Sequence, residues 1–253
     1  IPLINTAIYS TIKSKLMEQF GGCVEIFIVG GAAINRETEE FLRTIKFPLT
    51  VGYGMTECAP IITYDDWQVE KLFSCGKSAP NMQVRIASAD PVKIPGEIQI
   101  KGANVFLGYF KNPEATAEVL TEDGWFRTGD MGVMDAEGSL FIKGRTKCMI
   151  LGPSGQNIYP EEVETTLNSQ PYVVESLVIE DDGGLTALIY PDFQQGAKDG
   201  MPQSEFVKYI KSQLSEWNKE LPNYAKLKKI EVMSEDFERT PKKSIKRYLY
   251  QRH

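Results

Sequence analysis

The sequence predicts a mixed α/β protein built from three successive parts. These are a parallel α/β part over residues 1–74, a small antiparallel, barrel-like module over 75–146 and an α+β domain over 147–253. Three observations support this order. A strand, a glycine-rich turn, a helix and a second strand follow one another over residues 24–54, as in a parallel sheet. Short alternating strands come next, and helical patterns return after the GRTK stretch at 144–147.

The first part is predicted to open with a helix and to continue with two strands around a second helix. VEIFIVG at 24–30 predicts a buried strand, Asn35 caps the second helix, and PLTVGYG at 48–54 forms the next strand. In the first helix, apolar residues recur at helical spacing and stop at a glycine pair, which predicts an amphipathic helix with a glycine terminator. These residues are Ile4, Ile8, Ile12 and Leu16, followed by Gly21 and Gly22.

The later parts change pattern twice. GEIQIKG at 96–102 and GSLFIKG at 138–144 are short alternating strands, and we place a domain boundary near Lys147. After it, Pro160 starts a helix, and VVESLVIEDDGGLTALIYPD at 173–192 predicts a hairpin. SEFVKYIKSQLSEW at 204–217 predicts one helix with an apolar face made of Phe206, Ile210, Leu214 and Trp217.

Composition excludes several classes of protein. No run of ~18 apolar residues occurs, and no basic region precedes an apolar stretch, so we expect neither a transmembrane helix nor a signal peptide. The four cysteines form no CxxC pair, which favours a reducing, cytoplasmic compartment without structural zinc. The single histidine, His253, nearly excludes a histidine base or a histidine-ligated metal. Because the chain does not begin with Met, we expect it to be a piece of a longer protein.

The net charge of −6 is distributed unevenly along the chain. Residues 201–253 hold 12 Lys and Arg against 7 Asp and Glu, a net charge of +5, which leaves −11 for residues 1–200. The basic end has little aromatic interleaving, so a local anionic ligand is favoured over nucleic acid.

Two familiar phosphate-binding motifs do not fit the sequence. GKS at 76–78 resembles the end of a P-loop, but Lys71 stands where the first glycine is required. The glycines at 30 and 31 follow a strand, yet Ala32 and Asn35 replace the later glycines of the dinucleotide fingerprint.

Six motifs do fit one family when they are taken in order. They are GGAA at 30–33, YGMTE at 53–57, GWFRTGDMG at 124–132, GRTKCMILGPSGQNIYPEEVE at 144–164, LPNY at 221–224 and TPKKSIKR at 240–247. Together they resemble the adenylate-forming superfamily of acyl-CoA synthetases, adenylation domains and luciferases. The stretch ILGPSGQNIYPEEVE is most similar to the long-chain fatty acyl-CoA synthetase branch. The resemblance covers about the second half of such an enzyme, without the upstream phosphate loop.

The resemblance implies an ATP site with bound Mg²⁺ in the first 146 residues. Tyr53 would stack on adenine, with the backbone at Gly31, Ala32 and Gly54 beside the nucleotide. Asp130, placed in a turn, would accept from both ribose hydroxyls, and Arg145 would lie at the ribose. Thr56 would donate to the α-phosphate and Glu57 would bind Mg²⁺, for which carboxylate oxygen is a preferred ligand. Each short string is also what an ordinary turn or helix cap looks like.

The resemblance implies a mobile C-terminal domain that serves two half-reactions. Lys147 would be the hinge, and Gly155 would line the channel for the pantetheine arm of CoA. In TPKKSIKR the family lysine that reaches the α-phosphate falls on Ser244, so the pattern is broken there. In an extended segment Lys246 shares the face of Ser244, so it keeps the direction of the family lysine at a different depth. Lys243 lies on the other face and could substitute if a local bulge reorients it. The third alternative is a solvated basic tail.

The function implied is that of an AMP-forming acid–thiol ligase of fatty acid metabolism. A medium or long fatty acid is activated as acyl-AMP and passed to CoA. The alternatives are an enzyme that loads a carrier-protein thiol or acts on an aromatic acid, and a noncatalytic module that binds AMP or an acyl adenylate. We expect residues 1–253 alone to be inactive, with no nucleic acid partner, and contact with a membrane surface stays open.

Overall fold

A computed structural model describes residues 2–152, 155–241 and 243–252, with side chains from residue 6 onward. The chain divides into two units, Ile1–Thr146 and Lys147–His253. Within these described ranges, no helix has both the length and the apolar character needed to cross a membrane.

The first unit contains three helices and nine strands among its described residues. The helices are α1 (Pro2–Gln19), α2 (Arg36–Thr44) and α3 (Pro113–Val119). The strands are β1 (Phe27–Val29), β2 (Leu49–Val51), β3 (Tyr53–Gly54), β4 (Ile61–Tyr64), β5 (Lys77–Ser78), β6 (Met82–Ala87), β7 (Gly96–Gly102), β8 (Phe126–Met134) and β9 (Leu140–Arg145).

The predicted parallel strand pair is confirmed, although its burial is not. β1 and β2 pair in parallel, and α2 connects them. The side-chain oxygen of Asn35 accepts from the backbone N of Thr38 at 3.1 Å, which is the predicted cap. The expectation of a buried strand is wrong for one face of β1, because Ile28 is 43% exposed. In α1, Ile12 packs against this layer, whereas Ile8 is 50% exposed, so the predicted apolar face is only partly buried.

The middle of the first unit consists of two antiparallel sheets, ordered β3-β4-β5 and β6-β7-β8-β9. The second sheet is open, since β6 and β9 each pair with a single neighbour in it. The antiparallel module predicted from the sequence is therefore confirmed, and its described strands form an open sheet and do not close into a barrel. The side chains of Tyr53, Ile62, Ile98 and Phe126 share one buried cluster, which joins the two sheets.

The second unit contains four helices and five strands among its described residues. The helices are α4 (Pro160–Leu167), α5 (Phe193–Lys198), α6 (Gln203–Ser212) and α7 (Leu214–Glu220). The strands are β10 (Ile150–Leu151), β11 (Asn157–Ile158), β12 (Val173–Asp181), β13 (Gly184–Pro191) and β14 (Leu227–Val232).

The predicted hairpin of the second unit is confirmed, and the predicted single helix is corrected to two. β12 and β13 join through Asp182 and Gly183, whose φ angles of +50° and +67° suit a tight two-residue turn. The helical stretch after Gln203 breaks at Gln213, so α6 and α7 form separately. The predicted apolar face is nevertheless confirmed, because Phe206 and Trp217 both lie in the main core of this unit.

Candidate active site

Asp130 owes its position to an irregularity in β8. In the β7–β8 pairing, Gln99 faces Arg127 and Glu97 faces Met131, so three residues of β8 lie opposite Ile98 alone. Gly129, inside this bulge, has φ +70°, a conformation that glycine adopts at little cost. The backbone N of Asp130 donates to the Thr128 hydroxyl oxygen at 3.1 Å, and that hydroxyl donates to the Ile98 carbonyl at 2.8 Å. Asp130 thus lies in a bulged strand, and the predicted turn is wrong.

The Asp130 carboxylate is held from both sides. It is 6% exposed, and its Oδ2 accepts from the Tyr53 hydroxyl at 2.6 Å. Its Oδ1 lies 3.2 Å from Nε of Arg145, which is its register partner in β9. Burial raises the pKa of Asp130, while the Tyr53 hydrogen bond and the Arg145 charge act in the opposite direction. The result is a desolvated carboxylate with a fixed orientation.

Tyr53 enters this arrangement through its hydroxyl. Its side chain belongs to the buried cluster between the two antiparallel sheets, and the residue is 7% exposed. Burial, together with the neighbouring Asp130 carboxylate, raises the pKa of the Tyr53 hydroxyl, so that it stays a proton donor. The predicted stacking of this ring on adenine stays a prediction; the contact present here is the hydrogen bond.

Thr56 and Glu57 lie on a 3₁₀ turn, Thr56–Cys58, which follows β3. Thr56 is exposed, and Glu57 Oε1 accepts from the Tyr109 hydroxyl at 3.1 Å. The Glu57 charge also raises the pKa of Asp130, which places the two carboxylates within electrostatic reach of each other. Sequence reasoning missed Tyr109, because a contact between residues 52 positions apart leaves no local signal.

The donor set at Glu57 fits a Mg²⁺ ion that is bound mainly through substrate. Across the described parts of the chain, no group of three or more His, Cys, Asp or Glu side chains could hold a metal by itself. Mg²⁺ is commonly held by one or two carboxylates together with substrate phosphates, so a single half-buried carboxylate is sufficient. Glu57 meets that description, since its carboxylate accepts from a tyrosine and no cationic side chain of the described residues lies within ion-pair distance of it.

The backbone positions predicted to lie beside the nucleotide, Gly31, Ala32 and Gly54, differ in whether a side chain would fit there. Gly31 and Ala32 are exposed on the turn after β1, and a Cβ at Gly31 would meet nothing within 4 Å. A Cβ at Gly54 would lie 2.0 Å from the Pro60 carbonyl oxygen, so the β3–β4 pairing by itself requires that glycine. β1 and β2 are parallel, and both the 31–32 turn and the 53–57 motif follow their carboxyl ends, where α/β sheets usually bind ligands.

In the second unit, Lys147 and Gly155 occupy exposed loop positions. Lys147 lies in a short 3₁₀ turn, Thr146–Cys148, at the boundary between the units. Gly155 lies between β10 and β11 with φ +77°, and a Cβ there would meet nothing within 4 Å. Pro153 and Ser154 of this loop are outside the described residues.

The TPKKSIKR segment is a folded loop. The backbone N of Thr240 donates to the Ser244 carbonyl at 2.8 Å, and Arg239 and Ile245 form an antiparallel bridge. Lys243 has φ +63°, so the extended geometry assumed for this segment is wrong around it. Ile245 packs on the sheet face where Phe237 is buried. These contacts fold the segment onto the second unit, whether one of its lysines serves catalysis stays a prediction, and Lys242 lies outside the described residues.

The two candidate lysines differ in their surroundings. Lys246 is half-buried, and its Nζ lies 3.2 Å from a Glu238 carboxylate oxygen. Lys243 is exposed at the tip of the loop, and no carboxylate of the described residues lies within ion-pair distance of its amine.

Comparison with known proteins adds two family matches. The family model for the AMP-binding enzyme matches residues 2–110, and the model for the AMP-binding enzyme C-terminal domain matches residues 149–253.

The chain is also similar to curated proteins and to solved structures. It is 30% identical to a long-chain-fatty-acid–CoA ligase of Escherichia coli over 92% of this chain and 44% of that protein. It is 37% identical to the 2-succinylbenzoate–CoA ligase of Bacillus subtilis over 66% of this chain and 35% of that protein. The structure of O-succinylbenzoate coenzyme A synthetase from Bacillus subtilis with ATP and magnesium matches with a TM-score of 0.77 and 30% identity, covering 94% of this chain and 49% of that one. The chain thus spans less than half the length of these relatives.

Proposed function

This chain belongs to the AMP-binding enzyme family, and from that membership we propose that the whole protein is an ATP-dependent acyl-CoA synthetase. It activates a medium or long fatty acid as an acyl adenylate and transfers the acyl group to CoA. The observation that carries the proposal is the buried Asp130 carboxylate, held between Tyr53 and Arg145 within electrostatic reach of Glu57.

Asp130 has the acceptor capacity for the ribose of ATP. Two carboxylate oxygens offer about four lone-pair sites, and Tyr53 and Arg145 each occupy one. The remaining sites can accept from ribose hydroxyls without rearrangement, because the two partners already fix the carboxylate. Arg145 uses only its Nε on Asp130, and its side chain is 71% exposed, so its other N–H groups can donate to the nucleotide.

Thr56 and Glu57 serve the phosphates in this proposal. The exposed Thr56 hydroxyl donates to the α-phosphate, and Glu57 is a ligand of Mg²⁺ that enters with ATP. When bound, the metal would neutralise phosphate charge. The carboxylate of the fatty acid attacks the α-phosphorus, and pyrophosphate leaves. Tyr109 keeps the Glu57 carboxylate oriented through its hydroxyl.

Lys243 is the better candidate for the cation that the family places at Ser244. The Lys246 amine is paired with Glu238 at 3.2 Å, whereas the exposed Lys243 amine has no such partner among the described residues. A compact ammonium brought to the α-phosphate offsets the charge that develops during adenylation. Lys243→Ala is expected to slow adenylation about 100-fold, and Lys246→Ala serves as its matched control. Equal rates for both variants and the wild type would refute the assignment.

Lys147 and Gly155 serve the second half-reaction. The exposed Lys147 at the unit boundary is the hinge of a mobile second unit, and a hinge requires soft dihedral angles rather than charge. Gly155 lines the channel for the pantetheine arm, since the space beside its Cα is open. The thiol of CoA then attacks the acyl adenylate and AMP leaves.

Two alternatives each have an observation in their favour. Similarity to a 2-succinylbenzoate–CoA ligase favours an aromatic acid as the substrate. The serine at position 244 favours a noncatalytic module that binds AMP or an acyl adenylate, because a hydroxyl cannot supply the missing charge. A carrier-protein thiol that replaces CoA as the acyl acceptor is a variant of the proposed acyl-CoA synthetase.

The deciding experiment is ATP–pyrophosphate exchange with the whole protein. Medium and long fatty acids are compared with 2-succinylbenzoate, and thioester formation is then measured with CoA and with a carrier protein. We expect exchange with fatty acids, thioester with CoA, and loss of both in Asp130→Ala. Exchange with the aromatic acid alone would support the first alternative, and nucleotide binding without exchange would support the noncatalytic module.

A further inference from the structure

Outside the nucleotide site, the second unit contains a buried carboxylate that joins three elements. Glu164 in α4 is 7% exposed. Its Oε1 accepts from the backbone N of Val178 in β12 at 2.7 Å, and its Oε2 accepts from the guanidinium of Arg247. A carboxylate removed from water is costly unless charge and hydrogen bonds compensate. Burial accordingly raises the pKa of Glu164, and the Arg247 charge acts against that rise.

Arg247 closes the loop that carries the candidate lysine. The loop leaves the core at Phe237, turns at Lys243 and returns to the core at Ile245, two residues before Arg247. At the tip, Lys243 and Ser244 are exposed. The tip is held internally by the Thr240–Ser244 backbone bond and by Arg239, which donates to the Lys243 carbonyl at 3.1 Å, so the loop moves as one piece and its position depends on the anchors on either side.

The two sides of the loop are anchored differently. On the incoming side, Arg239 pairs with Glu175, and their side chains are 34% and 23% exposed. On the outgoing side, Arg247 pairs with Glu164, and their side chains are 23% and 9% exposed. The buried pair is the stiffer anchor, since water and salt screen it less than they screen an exposed pair.

Glu164 also lies on the helix that follows the Gly155 hairpin. α4 begins at Pro160, directly after β11 and Tyr159. The Glu164–Arg247 contact therefore connects the lysine-bearing loop to the helix that follows the Gly155 hairpin, inside one unit.

We infer that Glu164 and Arg247 are positioning residues for adenylation, because their buried pair clamps the 239–247 loop to α4 and fixes where the Lys243 amine is presented. In this proposal both residues act through the loop that they hold. The inference rests on the proposed function and adds a requirement to it: the loop must be held, as well as carry a cation. Misplacing a catalytic group by about 1 Å can cost a reaction roughly 100-fold in rate.

The test uses Glu164→Gln, with Glu161→Gln as the matched control. Both are carboxylates on α4 that face Arg247, but Glu161 lies 3.9 Å from the guanidinium, beyond hydrogen-bond distance. The glutamine at 164 keeps the shape and can still accept from Val178, while the charge that holds Arg247 is lost. Each whole-protein variant is measured by adenylation rate, by the KM for ATP and by thioester formation from supplied acyl adenylate.

We expect Glu164→Gln to lower the kcat of adenylation about 10-fold or more, with the KM for ATP and thioester formation within about 2-fold of wild type. Glu161→Gln should leave all three unchanged. Amide hydrogen exchange should also accelerate at Thr240 and Lys246 in Glu164→Gln, and stay unchanged in the β12–β13 hairpin.

Each contrary result has a distinct meaning. Equal loss of both half-reactions in Glu164→Gln overturns the inference, since it shows general damage to the unit. Unchanged adenylation, or unchanged exchange at the loop amides, overturns it as well. A wild-type protein without carboxylate-dependent exchange refutes the proposed function before any variant is compared, and the amide-exchange measurement still decides whether the clamp exists.

Discussion

Replacing Tyr53 by Phe removes one hydroxyl and tests whether Asp130 is held as the structure indicates. The bond is 2.6 Å long, and both residues are less than 10% exposed, at 7% and 6%. A hydrogen bond to a charged group contributes about 1.5–3 kcal/mol, and water has little access to replace this one. We therefore expect the free energy of unfolding of the first unit to fall by about 2 kcal/mol.

The measurement is urea unfolding of the 253-residue chain, followed by tryptophan fluorescence. Trp67 and Trp125 lie in the first unit and Trp217 in the second, so the curve is fitted as two transitions. With a slope of about 2 kcal/mol per molar urea, the first-unit midpoint should fall by about 1 M. The second-unit midpoint should not move.

Tyr109→Phe is the control for this change. Tyr109 also donates to a carboxylate, Glu57, but at 3.1 Å and with 38% of its surface exposed. Water can satisfy Glu57 there, so we expect a loss below about 0.5 kcal/mol. A double-mutant cycle between Tyr53→Phe and Asp130→Ala should give a coupling of about 1.5 kcal/mol or more. A coupling near zero, or equal losses in the two tyrosine variants, would refute the reasoning.

Three further predictions concern single sites. Gly155→Leu in the whole protein should spare adenylation and block thioester formation, measured as separate half-reactions; equal damage to both would remove the channel assignment. Gly54→Ala should unfold the first unit or cost it several kcal/mol, because the new Cβ would lie 2.0 Å from a backbone oxygen, whereas Gly129→Ala should cost about 1 kcal/mol for its φ of +70° with open space around it. Urea unfolding measures both, and similar losses would contradict the clash. The Arg252 hydrogen bond lowers the pKa of Glu231 to about 2, so its contribution to the second unit is present above pH 4.5 and lost as the pH falls toward 2. Glu231→Gln should reduce the loss of second-unit stability between pH 4.5 and 2, measured by urea unfolding across that range. An unchanged pH dependence would contradict the role of the Glu231–Arg252 pair.

Several predictions from sequence hold because they depend on neighbours only a few residues apart. Asn35 caps α2 through a donor three residues away, and Pro160 opens α4. The turn at Asp182 and Gly183 follows from the two residues themselves. Local backbone chemistry decides such features, so a sequence displays them directly.

Other predictions failed where the chain packs against distant parts of itself. The alternating strands of 75–146 gave no sign that β6 and β9 find no further strand partner on their outer edges among the described residues. The extended reading of the TPKKSIKR segment missed the turn at Lys243, which is stabilised by the bridge between Arg239 and Ile245. Alternation describes which face a residue takes, and it does not describe which strand becomes its neighbour.

The sequence by itself determined the order of the motifs, the helices and strands around them, and the residue types that nucleotide chemistry requires. Only the tertiary structure decided how those residues meet. The β8 bulge aims Asp130 at Tyr53, a residue 77 positions away, and Arg247 reaches Glu164 across 83 positions. Such contacts depend on how strands pair and how buried surfaces fit together. These are properties of the folded chain as a whole, and no short stretch of sequence encodes them.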